Sequence, residues 1–392
     1  MKILEEDDFS LVLGGPLFQF FRRAHLTGNA LELLRRRIFV IVAITWPPLI
    51  LLSALEGRLW GGVTLPFFYD IDAHVRFLVV VPFLVVAELV VHTRIRPIIR
   101  QFMDRDLIPI ESHQKFLDAV QSMNKLRDSI IAEVVQVALV YGIGVVFIWR
   151  KEAALDVESW YGVMVNGTLH PSVAGWWLGL VSLPIFQVLL LRWYYRLFIW
   201  ARFLWQVSRI KLDLMPTHPD RSGGLGFLTG VSYTFSPLLM AQGALMAGMF
   251  ANRIFYAGAS LTQFKLEIAG LVGLMVLVIL APLLVFSPQL EKTKRSGQRD
   301  YGTLAQQYVR DFDAKWLRGK APEGELLMGS GDIQSLADLG NSFETIAEMK
   351  WVPFSTRTIL HLGITTLVPL VPLTLTMISL EDLLDRVLKI IF

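Results

Sequence analysis

The chain has 392 residues, of which 54% are hydrophobic and only 18% are charged, and its formal net charge is +3. Soluble domains carry about 25% charged residues, so this composition excludes an ordinary soluble protein. Cysteine is absent, which excludes disulfides, thiolate metal sites and a cysteine nucleophile. The apolar residues form blocks close to the roughly 20 residues that span a bilayer as a helix, rather than the alternating ten-residue segments of a barrel. The sequence therefore predicts an all-α integral membrane protein.

Seven membrane-spanning helices are predicted in chain order. Their ranges are 38–55, 77–91, 130–149, 173–191, 230–250, 268–286 and 358–378. The second is short, and the seventh contains Pro369 and Pro372, which can kink a helix or break it into a re-entrant segment. The fifth carries Ala244 and Gly248, a pair of small residues at a spacing that favours close helix packing.

The positions of lysine and arginine predict the orientation of these spans. All 37 of these residues lie outside the predicted spans, with 29 in one set of alternating segments and 8 in the other. Short loops rich in Lys and Arg stay on the cytoplasmic side of a membrane. The N-terminus is therefore predicted to be cytoplasmic and the C-terminus to lie outside.

The spans divide the chain into four segments. Residues 1–37 are predicted to be a cytoplasmic interfacial segment, with aromatic and basic residues at the headgroups, and residues 38–286 a membrane domain with six spans. Residues 287–357 are predicted to be a small cytoplasmic helical segment, and residues 358–392 the last span and an amphipathic C-terminal tail. Within the third segment, apolar residues recur at helical spacing at Ile333, Leu336, Leu339, Phe343 and Ile346.

A corner rich in proline and glycine, LMPTHPDRSGGLGFL at 214–228, precedes the fifth span. Backbone N–H groups in such a turn, at the start of a helix, can hold an anion such as a phosphate or a lipid headgroup. The candidate residues of this anion site are His218, Asp220, Arg221, Gly223, Gly224 and Gly226. The alternative is a structural corner, in which Pro219 fixes the turn, Asp220 caps the helix and the glycines allow close packing.

Several familiar motifs are excluded at this corner. A P-loop needs Lys followed by Ser or Thr after its last glycine, and the dinucleotide fingerprint needs a βαβ context. The His-Pro-Asp tripeptide also resembles that of J-domain co-chaperones, but those residues belong between two helices of a small soluble domain. No metal site and no cofactor are predicted, because no other His, Asp or Glu stands at ligand spacing on the same helix.

A second candidate site is an intramembrane polar cluster near the cytoplasmic ends of the second, third and fourth spans. A charged residue in hydrocarbon costs roughly 2.5–3.5 kcal/mol on insertion scales, so such residues usually pair or line water. The candidate residues are Glu88, Arg127, Glu133, Gln136, Gln187, Arg192 and Arg196. The arginines could instead extend toward headgroups, and the glutamates could form only a helix-packing ion pair. The functional alternative is a polar vestibule that opens to the cytoplasm.

The chain resembles an uncharacterised family of bacterial polytopic inner-membrane proteins that carry an HPDRxGGLGFL motif. The resemblance rests on HPDRSGGLGFL at 218–228, LRWYYRLFIWARFLW at 191–205 and DIQSLADLGNSFETIAEMKWVPFS at 332–355, and it covers nearly the whole chain. It implies a multi-pass protein of the bacterial plasma membrane. It implies no activity, no substrate and no catalytic residue.

Three functions are compatible with the sequence. Seven spans, intramembrane glutamates and short outer loops favour a membrane transport protein, a channel or carrier for ions or small solutes, and we expect it to be a homo-oligomer. The first alternative is a scaffold or sensor that docks a cytoplasmic protein partner through residues 287–357. The second is a membrane-embedded enzyme acting on a lipid or polyprenyl phosphate, with Glu88 or Glu133 as general base. Membrane lipids are expected partners, and nucleic acid is not.

Overall fold

The computed structural model describes residues 10–12, 14–15, 34–144, 158–165, 168–319, 321–322 and 324–377. Its helices are α1 (Leu34–Leu55), α2 (Ile71–Asp104), α3 (His113–Arg127), α4 (Ile130–Leu139), α5 (Val173–Ser208), α6 (Leu225–Ala257), α7 (Leu261–Leu317), α8 (Gly331–Ala347) and α9 (Thr356–Met377). Two short strands, β1 (Gly162–Val165) and β2 (Thr168–Pro171), pair antiparallel. The helices α1, α2, α5, α6, α7 and α9 are long and apolar enough to cross a membrane. The prediction of an all-α membrane protein is therefore confirmed.

Polar side chains start several of these helices. Asp70 accepts the N–H of Ala73 at the start of α2. Ser129 caps α4, and Ser172 caps α5 through the N–H of Gly175. Each cap satisfies a backbone donor that has no partner within the first helical turn. The boundaries of these spans thus follow from local sequence.

The described loops gather at two ends of the helix bundle. At one end, which we call the corner end, Lys350 N–H donates to the carbonyl of Arg221 in the 214–228 corner. At the opposite end, which we call the far end, Leu65 N–H donates to the carbonyl of Glu158. Helices of membrane length connect these two ends, so each end gathers loops that are distant in sequence.

The third predicted span, 130–149, is only partly described. α4 continues from Leu139 as a π-turn at Val140–Gly144, and residues 145–149 of the prediction lie outside the described residues. The chain just before α4 lies toward the corner end, where the Tyr195 hydroxyl donates to the Leu126 carbonyl at 2.9 Å. By Glu158 the chain has reached the far end. The described part of this span, Ile130–Ile143, is shorter than the six helices that are long and apolar enough to cross a membrane, and the count of seven spans stays a prediction.

Prolines produce irregular turns within the membrane helices. Two π-turns, Arg76–Val80 in α2 and Leu178–Ser182 in α5, end just before Pro82 and Pro184. Because proline has no N–H to donate, the carbonyl one turn earlier loses its usual partner and the local hydrogen bonding changes. At Pro369 the last span tightens to a 3₁₀ turn, yet α9 stays one helix. The last span is thus kinked at most and not broken.

Glycine allows α6 to approach α9 and α2 closely. A Cβ atom at Gly243 would lie 2.0 Å from the carbonyl oxygen of Thr366 in α9. A Cβ atom at Gly248 would lie 3.2 Å from the Cα atom of Asp72 in α2. The predicted small-residue packing in this span is present, and its tightest point is Gly243.

α7 is much longer than a membrane span requires and forms a hairpin with α8. It is 57 residues long, which corresponds to about 85 Å of helix. α8 packs against the second half of α7, where the Tyr308 hydroxyl donates to the Asp332 carbonyl at 3.0 Å. On the predicted apolar face of α8, Ile346 is fully buried, whereas Ile333 is 47% exposed. The segment 287–357 is therefore a helical hairpin that extends from the corner end.

We expect Gly243→Val to destabilise the membrane domain. The valine side chain cannot fit beside the Thr366 carbonyl. Overpacking usually costs about 1–3 kcal/mol, and we expect the unfolding free energy to fall by this amount or more. Denaturant titration of the purified protein in detergent measures this change. The matched control is Gly270→Val, because nothing lies within 4 Å of a Cβ atom at Gly270. Equal stability of the two variants would contradict the close approach of α6 and α9.

Candidate functional site

The helix α1 presents one buried face to the bundle, and the first residue of that face is an arginine, Arg37. Its buried residues recur every four positions, at Arg37, Ile41, Thr45, Leu49 and Ser53. The neighbouring Arg35 and Arg36 are exposed. Helical periodicity thus places one of three consecutive arginines inside the protein.

Glu88 lies at the centre of a buried ion-pair network. Its side chain is almost fully buried, and its Oε1 atom lies 2.8 Å from Nη1 of Arg196. Its Oε2 atom forms an ion pair with Nη1 of Arg37. The guanidinium of Arg196 also stacks 4.8 Å from the ring of Trp193. Because the three charged residues belong to α1, α2 and α5, the network joins three spans.

A second ion pair joins α4 to α5 next to this network. Nη2 of Arg192 lies 3.7 Å from Oε1 of Glu133 and donates to the Gly14 carbonyl at 3.4 Å. The other terminal nitrogen of Arg192, Nη1, is buried and makes no hydrogen bond within the described residues. We call these five residues the arginine–glutamate cluster: Arg37, Glu88, Glu133, Arg192 and Arg196. With three guanidinium groups and two carboxylates, it carries one positive charge in excess.

The described part of the N-terminal segment packs against this cluster. Ser10 is buried, and its Oγ atom lies 2.9 Å from Nδ1 of His92. Arg127 donates to the Ser10 carbonyl, and a Cβ atom at Gly15 would lie 2.7 Å from Oε1 of Glu133. The predicted interfacial segment 1–37 thus contacts the bundle at residues 10–12 and 14–15. Residues 16–33 lie outside the described residues.

The structure brings together four of the residues predicted for the polar cluster, namely Glu88, Glu133, Arg192 and Arg196. Arg127 pairs instead with its neighbour Asp128, whose Oδ2 atom lies 2.7 Å from Nη2. Gln136 is buried in α4. The Oε1 atom of Gln187 is buried and makes no hydrogen bond within the described part of the chain. The functional role of all seven residues stays a prediction.

Sequence reasoning missed Arg37, because the predicted first span began one residue later. The buried positions at 37, 41 and 45 form a four-residue repeat, and this repeat could have identified Arg37 as inward-facing. Ser10, Gly15 and His92 had no comparable pattern. Their contacts depend on how the N-terminal segment folds back onto α2 and α4.

The corner at 214–228 is closed by its own aspartate. Oδ1 of Asp220 accepts the N–H of Ser222 at 2.8 Å and of Gly224 at 3.1 Å. Oδ2 accepts the N–H of Gly226 at 2.8 Å, and Nδ1 of His218 lies 2.9 Å from Oδ1. The carboxylate occupies the backbone donors that the predicted anion site would use. An external phosphate would therefore have to displace the Asp220 side chain.

These contacts also set the charge of Asp220. Burial raises the pKa of this carboxyl, but the N–H groups of Ser222, Gly226 and Gly224 and the charge of His218 outweigh burial, so the pKa lies below its ordinary value of 3.8. A carboxylate with a lowered pKa stabilises the folded state above its unfolded pKa. This stabilisation is present above pH 3.8 and is lost as the pH falls through the lowered pKa.

The corner also holds the loop that follows α8. Arg221 adopts a left-handed conformation with φ of 54°, and its Nη1 atom lies 2.7 Å from Oε2 of Glu348. Its carbonyl accepts the N–H of Lys350 at 2.7 Å. A Cβ atom at Gly223, where φ is 62°, would lie 3.1 Å from the Met349 side chain. The predicted site residues of the corner thus bind the hairpin to the membrane domain.

A cavity of about 270 Å³ opens at the far end, between α2, α5 and α6. Asp72 and Arg76 of α2 line it, together with Arg253 and Tyr256 of α6. The π-turns of α2 and α5 each contribute a wall, since Phe77 and Leu178 are among the lining residues of the cavity. No sequence pattern indicated this cavity, because its residues come from four distant segments.

The frame of this cavity is a fully hydrogen-bonded carboxylate. Asp70 is buried, and its Oδ2 atom accepts the indole N–H of Trp160 at 2.8 Å. Its Oδ1 atom accepts from Nδ2 of Asn252 at 2.8 Å and from the N–H of Ala73 at 3.0 Å. The hydrogen bonds of Asp70 tie the loop before β1 to the far ends of α2 and α6. Buried polar networks that are fully satisfied are rigid.

In comparisons with known proteins, no protein-family model, no curated protein and no solved structure matches this chain significantly. Within the described residues, no group of three or more His, Cys, Asp or Glu side chains is arranged as ligands for a metal ion. The arginine–glutamate cluster and the far-end cavity are therefore the features of the structure that bear on function.

We expect Glu88→Gln to destabilise the protein strongly. The change leaves Arg37 and Arg196 buried without a counter-charge, and removal of one partner from a buried pair typically costs about 3–5 kcal/mol. Denaturant titration in detergent measures the loss. Glu291→Gln is the control, because Glu291 pairs with Arg295 on an exposed face of α7, where ion pairs contribute about 0–1 kcal/mol. A Glu88→Gln protein as stable as the wild type would contradict the role of this network.

We expect Asp220→Asn to loosen the corner. The amide group presents an N–H₂ donor to the backbone N–H groups that the carboxylate accepts, so the unfolding free energy should fall by about 1.5–3 kcal/mol. His218→Ala should cost less, because His218 makes only one of the contacts. Asp213→Asn is the control, since the Asp213 side chain is exposed. If His218→Ala and Asp220→Asn had equal effects, the carboxylate would not be the centre of the corner.

Proposed function

We propose that the protein is a membrane transport protein, a carrier in which the far-end cavity receives a small solute and the arginine–glutamate cluster closes the opposite end. The observation that carries this proposal is the position of both sites on α2. Arg76 lines the cavity, and Glu88 lies 12 residues further along the same helix. This separation corresponds to about 18 Å along the helix axis, which is more than half of the roughly 30 Å of hydrocarbon in a bilayer.

The chemistry of the cluster suits a gate. Intramembrane charges are costly, and they usually mark solute or ion pathways where they occur. The ion pairs of Glu88 hold α1, α2 and α5 together in a dry environment. Water that enters the cluster would hydrate these charges and weaken the pairs, so the helices could separate. The buried Nη1 of Arg192, which makes no hydrogen bond within the described residues, would donate a hydrogen bond to a passing polar group.

The irregular turns suit a helix that changes shape. The π-turns Arg76–Val80 and Leu178–Ser182 lie where α2 and α5 line the cavity. π-turns within helices occur frequently at functional sites. A shift of either turn to α-helical hydrogen bonding would rotate the part of the helix that carries the cluster. This arrangement provides a physical connection between the two ends.

The predicted orientation gives this proposal a direction. If the corner end is cytoplasmic, as the distribution of Lys and Arg predicts, the cavity opens outward and the cluster closes the cytoplasmic side. Location in the bacterial plasma membrane is part of the proposal and rests on the resemblance of the sequence. Assembly into a homo-oligomer is likewise proposed.

A scaffold or sensor is the second candidate function, and exposed apolar residues on the hairpin favour it. Leu304 is 51% exposed, Val309 is 49% exposed and Met328 is 90% exposed. Such residues are common at docking surfaces, although single exposed apolar residues are also normal in proteins. Transport is preferred because a cavity lined by charged residues and a buried ion-pair network lie along the same helix, α2.

We expect Glu133→Gln to change flux through the protein. The change removes the carboxylate nearest Arg192 and raises the excess positive charge of the cluster, so the rate at which solute crosses the protein should change several-fold. Purified protein in liposomes would be assayed for release of K⁺, Cl⁻ and free amino acids, with empty liposomes as the background. Asp128→Asn is the matched control, because Asp128 pairs with Arg127 outside the cluster. Flux that is identical in both variants would remove the cluster from the mechanism.

A labelling measurement tests the gate without knowledge of the solute. The chain has no cysteine, so Gln187→Cys introduces one thiol, about one and a half helical turns from Arg192 toward the membrane centre. A membrane-impermeant maleimide added at the corner end should label this thiol slowly. Combination with Glu133→Gln should speed the labelling several-fold, whereas combination with Asp128→Asn should not. Equal rates in all three proteins would contradict the gate.

A further inference from the structure

We infer that the far-end cavity is a binding site for a small zwitterionic solute of amino-acid size. This inference names a substrate class and so deepens the proposed transport function. It rests on that function only in part, because binding to the cavity can be measured without flux.

The charges of the cavity balance. Asp70 and Asp72 are among its lining residues, and so are Arg76 and Arg253. A solute with net negative charge would meet two carboxylates, and one with net positive charge would meet two guanidinium groups. Electrostatic complementarity selects partners by suppressing such like-charge contacts. A solute that carries both charges and is neutral overall matches the site.

The cavity retains donors for a carboxylate. Arg76 uses one terminal nitrogen for its ion pair with Asp72, but its Nε atom is buried and makes no hydrogen bond within the described residues. Arg253 is exposed and stacks 5.8 Å from the ring of Phe264. It forms no ion pair with the part of the chain that the structure describes. A guanidinium group binds a carboxylate through two parallel hydrogen bonds, and Arg253 is placed to do so.

The cavity also contains groups for an ammonium ion and an apolar side chain. Asp72 supplies a carboxylate, and the ring of Tyr256 supplies a π-face that attracts cations. Phe77 and Leu178 supply apolar wall. The volume of about 270 Å³ lies just below the range of about 300–1,000 Å³ that drug-sized ligands occupy. The site therefore fits a free amino acid better than a peptide or a larger metabolite.

The frame of the cavity is built before the solute arrives. Asp70 is held in the frame by Trp160 and Asn252, where its negative charge still contributes to the balance of the cavity. Asp72, Arg76 and Arg253 are the charged groups left to form direct contacts with the ligand. A site with rigid walls loses little affinity to the ordering of its own side chains.

Binding of free amino acids to the purified full-length protein tests the inference. Each of the twenty standard amino acids would be added singly, and thermal unfolding would identify the strongest stabiliser. Calorimetry would then compare this amino acid with its deaminated and decarboxylated analogues. We expect both analogues to bind at least tenfold more weakly, because each lacks one of the two charges.

Two arginine variants locate the site. Arg253→Gln should weaken binding of the same amino acid at least tenfold. Because Arg253 is exposed, this substitution should leave the fold intact. Arg209→Gln is the matched control, since Arg209 is also exposed and stacks 5.1 Å from the ring of Trp205 at the corner end. It should bind the amino acid as the wild type does.

The outcomes separate this inference from the transport proposal. Absence of binding by all twenty amino acids, equal binding of the single-charge analogues, or unchanged binding by Arg253→Gln would each overturn the inference. Binding at the cavity without any flux in liposomes would support the inference and overturn transport. Flux of a solute that does not need Arg253 would support transport and overturn the inference.

Discussion

The paired charge of Glu88 is the interaction on which the membrane domain depends. Neither a carboxylate nor a guanidinium group is stable alone in hydrocarbon, so Arg37, Glu88 and Arg196 must be buried together. Each ion pair requires its helix to have one rotation about its axis and one depth in the bundle. Because α2 carries Glu88 and also lines the far-end cavity, the same constraint positions the residues that could meet a solute.

The corner performs a different task at the same end of the bundle. Its glycines and its left-handed Arg221 fold the backbone so tightly that Asp220 reaches three N–H groups of its own chain. The turn then holds the loop after α8 through Arg221 and Glu348. The corner thus fixes the loop after the hairpin against the membrane domain.

The two charged sites differ in a way that suits their proposed roles. In the cluster, Glu88 and Arg196 are buried and depend on each other, so they stabilise a closed arrangement. In the cavity, Asp70 is satisfied by the frame, while Arg253 remains exposed. Arg253 forms no ion pair within the described residues, so its guanidinium group is open to a ligand at the far end. A solute would therefore bind first at the far end, and it would pass only when the cluster opened.

The sequence by itself determined the class of fold, because the length of an apolar run acts locally. It predicts the orientation of the spans from the placement of Lys and Arg. It also predicted that Glu88, Glu133 and Arg192 lie at one depth in the bundle, where the structure brings them together. Tertiary structure decided the rest: that Arg37 turns inward, that Arg127 pairs outside the cluster, and that a charged cavity forms at the far end. These depend on the rotation of each helix about its axis, which is set by packing against helices distant in sequence.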